Sequence, residues 1–135
     1  NKTKAAKKTV TALETLTQQM DLLFNSRSDE EQALMLQRFI RDKENNFRMG
    51  NELVKLYFEN DLEKIYALYQ QSPQSTGDME YLLINRNKEW MKQLPSLISK
   101  QSNFIAVGAL HLAGPDGLVA QLKKAGYTVT PQNLQ

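Results

Sequence analysis

The chain of 135 residues carries 17 Lys+Arg against 15 Asp+Glu, a net charge of +2, too balanced for a binder that reaches nucleic acid through a basic surface. Apolar residues make up 41% and charged residues 24%, the composition of a folded domain with one core rather than of a disordered segment. Cysteine is absent, which excludes disulfides, thiolate metal sites and a cysteine nucleophile.

No run approaches the roughly 18 apolar residues that a membrane helix needs. No signal peptide is visible, and Asn1 is not a natural start, so the chain reads as one domain, residues 1–135, of something longer. Lys2, Lys4, Lys7 and Lys8 form the one basic cluster and read as a solvated end.

In chain order, the β-branched run Lys8-Thr-Val-Thr-Ala-Leu13 predicts a strand that hands over to a helix at Glu14. Thr15 and Gln18 have capping-box spacing, and Leu16, Met20, Leu23 and Phe24 follow at helical spacing to about Asn25. Ser28 and Glu31 repeat the box, and a stripe from Ala33 through Phe39 and Ile40 predicts a helix to about Lys43. A further helix is expected from Glu52 to Asn60, then a break, then a helix capped by Asp61. Tyr57, Phe58, Tyr66 and Tyr69 lie among leucines at helical spacing and read as core.

Residues Gln70 to Gly77 read as a loop, and Asp78 as the start of a long helix to about Leu94. Pro95 marks a break or a new start. Arg86 falls on the apolar stripe of that helix, between Leu82 and Trp90, so it must snorkel out or find a buried partner. Asn103 to Gly108 predicts a buried strand, Pro115 a helix start, Gly126 its stop, and Tyr127 to Thr130 a last strand. The expected fold class is α/β, mostly helical: short parallel strands at the two ends of the chain, the last two of them joined by a right-handed crossover, with an inserted region of about five helices over residues 16–100.

His111 is the only histidine. It follows an expected strand end, where ligands and catalytic groups collect in open α/β sheets, and could ligate a metal or move a proton near neutral pH. Gly108 before it would allow close approach or an unusual dihedral. Glu14, at the end of the first expected strand, could ligate or act as a base, and Arg86 could hold a carboxylate or an oxyanion. Each also has a plain structural reading: a loop histidine, a helix-end charge, a salt bridge. Ser72, Ser75 and Ser96 sit in no nucleophile elbow, and no phosphate loop, GxGxxG or HExxH occurs.

Leu13-Glu14-Thr15, Arg86-Asn87 with Trp90, Phe104-Ile-Ala-Val-Gly-Ala-Leu-His-Leu-Ala-Gly-Pro-Asp-Gly-Leu118 and Gly126-Tyr-Thr-Val129 occur in an order that resembles the C-terminal half of the TraB/GumN family, which includes the pheromone-shutdown proteins and is related to the TIKI proteases. The resemblance implies a metal-dependent, peptidase-like hydrolase with two GxxH motifs and a glutamate and an arginine between them. Gly108–His111 matches the second motif, Gly114 and Gly117 follow within the same segment, and Glu14 and Arg86 match the charged pair. On that resemblance His111 and Glu14 would hold a divalent metal (Mn, Co or Zn), and all three of Glu14, Arg86 and His111 would be catalytic.

The sequence departs from the family pattern by lacking the first GxxH, which is expected upstream of Asn1, so the chain would hold half a site. Missing upstream strands would expose a sheet edge and invite self-association. The implied partners are a peptide or small-molecule ligand, with the full-length protein exported, periplasmic or attached to the cell envelope. The alternatives are a non-catalytic binding module for a peptide signal or haem-like ligand, and an interaction domain that uses its helical surface.

Overall fold

The computed structural model describes residues 8–72 and 79–132. Among the described residues are seven α-helices, one π-helical turn and one 3₁₀ turn, with no strand. Helix α1 (Leu16–Phe24) opens with the expected reciprocal cap. Gln18 N donates to the Thr15 hydroxyl at 3.1 Å, and Thr15 N donates to the Gln18 side chain at 2.7 Å. Helix α2 (Asp29–Arg41) opens the same way, with Glu31 N to Ser28 Oγ at 3.3 Å and Ser28 N to Glu31 Oε2 at 2.8 Å. Its acidic first turn and basic last turn both favour the helix dipole.

Helix α3 (Lys43–Phe58) begins at Lys43 rather than at Glu52. Asn45, Asn46, Gly50 and Asn51 are poor helix formers and hid its first half. Asn46 Nδ2 compensates by donating to Phe39 O at 2.9 Å, which ties α3 back to α2. The break expected at Asn60 is present: Asn60 takes φ 58°, and Asp61 N reaches back to Leu56 O at 3.4 Å. The Asp61 carboxylate then accepts from Lys64 N at 3.0 Å and opens α4 (Leu62–Gln70). The expected loop to Gly77 and helix start at Asp78 fall mostly on residues 73–78, and Lys2, Lys4 and Lys7 on residues 1–7, outside the described residues.

A π-helical turn, Glu80–Ile84, runs into α5 (Asn85–Met91), and α6 (Leu94–Lys100) restarts with Pro95 in its first turn. Extended chain leads to a 3₁₀ turn, Ala109–His111. Helix α7 (Leu118–Lys124) starts after Gly117, three residues beyond the expected position at Pro115. Gly126, at φ 91°, ends it, and Tyr127 N donates to Leu122 O at 3.0 Å. The core is Trp90, Leu94 and Leu118, with Leu13, Met91, Ile98, Val107 and Leu112 packed against it. Leu56, Ile65 and Leu83 are also buried.

The α/β fold class is therefore overturned. Residues 8–13, 103–108 and 127–130 form no ladder. An apolar β-branched run asks for burial, but a strand exists only when its N–H and C=O groups find a neighbouring backbone. Leu13 and Val107 obtain burial against helices instead, while Phe104 is 97% exposed. No sheet edge exists among the described residues to support self-association through one. The aromatic expectation also fails in part: Tyr57 and Phe58 are 59% and 77% exposed, not core.

Candidate functional site

Arg86 follows the π-helical turn on the inner side of α5 and finds its partner 72 residues earlier in the chain. Its Nε donates to Glu14 Oε2 at 3.0 Å, its Nη2 donates to Glu14 Oε1, and its Nη1 returns to Leu82 O at 3.0 Å. Gln19, one turn into α1, donates to Glu14 Oε1 at 2.7 Å. The pair is largely withdrawn from solvent, with 13% of the Glu14 side chain exposed and 25% of that of Arg86. Burial alone would push the Glu14 carboxyl up; the hydrogen bonds from Arg86 and then Gln19 outweigh it and hold the carboxyl below its usual value. Glu14 is thus an ionised, fully engaged carboxylate.

The Arg86 guanidinium lies over the Trp90 ring at 5.0 Å, and the other neighbour of Trp90 is His111, ring centroids 4.4 Å apart. Glu14 and Arg86 meet directly, and His111 joins them through Trp90. His111 is 6% exposed. Its pKa is lowered from 6.5 to about 4, first by burial and then by the positive charge of Arg86, with Glu14 opposing weakly. The ring is neutral at pH 7. Asn87, 2% exposed, sits beneath it and bonds to its ring and to the loop that carries it.

On its other side His111 lines a groove of about 550 Å³ walled by Val54, Tyr57, Phe58, Leu83 and Leu110. Glu14, Arg86 and Trp90 are not among its wall residues. The arrangement presents a neutral imidazole to an apolar volume, with a closed ion pair behind it.

The family model of the TraB/PrgY/gumN family matches residues 1–131. The chain belongs to the TraB/PrgY/gumN family. No curated protein and no solved structure matches it.

In this TraB/PrgY/gumN chain the motif glycines divide. Gly108 has φ −62°, and a Cβ there would touch only His111 Cδ2 at an ordinary 3.7 Å, so it needs neither a special dihedral nor close approach. Gly114 does: its φ is 75°, and a Cβ would meet the Tyr66 ring at 2.5 Å. A Cβ on Gly117 would collide with the Ala113 and Leu112 carbonyls. These two glycines shape the turn that carries His111 into α7.

The divalent metal implied by the family resemblance does not fit the donors at hand. No group of three or more His, Asp or Glu side chains comes together among the described residues. Glu14, the expected second ligand, has both oxygens committed to Arg86 and Gln19, and a guanidinium beside the site opposes a second cation. Two residues at the site were missed as chemistry, Asn87 and Trp90. The signal was present for Asn87: it lies four residues after Leu83 and three before Trp90, a polar side chain on a buried stripe.

Proposed function

We propose that this chain carries the histidine-bearing part of a hydrolase site acting on peptides with apolar side chains. One observation supports the reading: a neutral, anchored His111 on the wall of an apolar groove of about 550 Å³. Such a ring has its lone pair available at neutral pH to take a proton from water attacking a carbonyl, and the groove would hold the flanking side chains and exclude bulk solvent. Glu14, Arg86 and Trp90 act behind it by holding the ring's surroundings. No step is drawn through a metal, because the donor set does not fit one. An exported or envelope-associated location is part of the proposal and rests on the family resemblance alone; no helix among the described residues is long and apolar enough to cross a membrane.

The groove favours a second reading as well. Aromatic and aliphatic walls with one uncharged nitrogen donor also suit retention of an apolar peptide or a haem-like ligand without turnover. The test uses the full-length protein, incubated with apolar peptides, free or blocked at either end, and read by mass spectrometry. Cleavage that is lost in His111→Ala supports the hydrolase. Peptides recovered intact from a stable complex, or a Soret band on haem titration without cleavage, overturn it in favour of the binding module.

A further inference from the structure

Asn87 has two amide hydrogens and spends both on backbone carbonyls, His111 O at 3.1 Å and Asp116 O at 2.9 Å. That fixes which way the amide faces, since a flipped amide would set its oxygen against two carbonyl oxygens. The Asn87 Oδ1 is therefore the atom that meets His111 Nδ1, at 2.8 Å. An amide oxygen only accepts, so Nδ1 must donate.

We infer that Asn87 is a positioning residue that fixes His111 as the Nδ1–H tautomer and leaves Nε2 as the lone-pair nitrogen at the groove. The rest of the ring's surroundings agree. Nε2 makes no hydrogen bond among the described residues, and no buried polar side-chain atom among them lacks a partner, so Nε2 lies on the small part of the ring that solvent reaches. The adjoining Cδ2 edge is turned toward Gly108, itself a wall residue of the groove. The bonds from Asn87 to His111 O and Asp116 O also hold the two ends of the Gly114 turn, so one buried side chain sets the position of the loop and the tautomer of the ring it carries. The inference deepens the hydrolase reading by naming the nitrogen that would act, and the tautomer itself can be measured without turnover.

The test reads His111, the one histidine of these 135 residues: ¹⁵N-labelled protein gives ring signals in a two-bond ¹H–¹⁵N correlation spectrum, and those lost in His111→Gln are its own. At neutral pH the wild type is expected to show a protonated, pyrrole-type Nδ1 and an unprotonated, pyridine-type Nε2. Asn87→Leu, checked for folding by circular dichroism, is expected to move the proton toward Nε2. A pyrrole-type Nε2 in the wild type overturns the inference whatever the variants do, as does an unchanged tautomer in folded Asn87→Leu. An Nδ1–H ring in a protein that cleaves no peptide defeats the hydrolase reading and leaves the positioning role standing. Cleavage with an Nε2–H ring does the reverse.

Discussion

Through α1 and α2 the chain holds its apolar side chains out to water; along α5, α6 and α7 it buries Trp90, Leu94 and Leu118 against one another. Leu23, Phe24, Leu36 and Ile40 are each at least 60% exposed, and neither α1 nor α2 contains a buried residue. In the second region Trp90, Leu94 and Leu118 are all below 5%. The hydrogen bonds differ in the same way. Those of the first region run mostly within a few residues, from caps to first turns. Those of the second cross the chain, from Arg86 to Glu14, from Gln93 to Leu13 O and from Asn87 to His111. Local signals suffice to make a helix, but they do not place it. The candidate site lies where placement is over-determined.

Removing the aromatic centre should break this contrast most. Trp90→Ala is expected to cost about 3–5 kcal/mol in denaturant unfolding, since it empties the core beneath both Arg86 and His111. The same truncation at Leu23, 62% exposed, should stay within about 0.5 kcal/mol.

Acid comes next. A histidine whose folded pKa is lowered to about 4 from 6.5 costs nothing above 6.5. As pH falls through that window the unfolded chain takes up a proton that the folded chain refuses, so stability declines, by about 3 kcal/mol on reaching pH 4. His111→Gln should remove that slope. Glu14 acts in a lower window: its folded carboxyl lies below its usual value of 4.5, so its contribution is present above that pH and is lost as pH falls through the folded value. Glu14→Gln should flatten only that acid limb, as read from unfolding midpoints across pH.

Gly114→Ala should cost about 1–3 kcal/mol from its backbone strain alone, with the Tyr66 clash in addition, and Gly108→Ala less than about 0.5 kcal/mol. A thermal melt of the two variants side by side checks the division of the motif. Ser28→Ala should cost about 1 kcal/mol, because it removes only a cap on a helix that buries nothing.

The same contrast explains what could be read from the residues alone. Both capping boxes, the Asn60 break and the Gly126 stop were legible because each is a short-range bond with its own residue signature. The partner of Arg86 was legible as a need, since an arginine on an apolar stripe requires one, but not as an address. The strands were misread because periodicity reports burial and not pairing, and Val107 met its burial against the helical core of Trp90, Leu94 and Leu118. Tyr57 and Phe58 were misread because a helix face looks the same in sequence whether it meets a core or walls a groove. Asn87 was legible as a polar side chain on a buried stripe, but its role was not, because that depends on three partners 24 to 29 residues away.

The most direct test of the account is a ¹H NMR titration of the single histidine, following its ring protons from neutral pH into acid. A buried ring beside Arg86 should stay neutral until a midpoint at about 4. A midpoint near the ordinary 6.5 would show a solvated, unanchored histidine and would contradict the site described for His111.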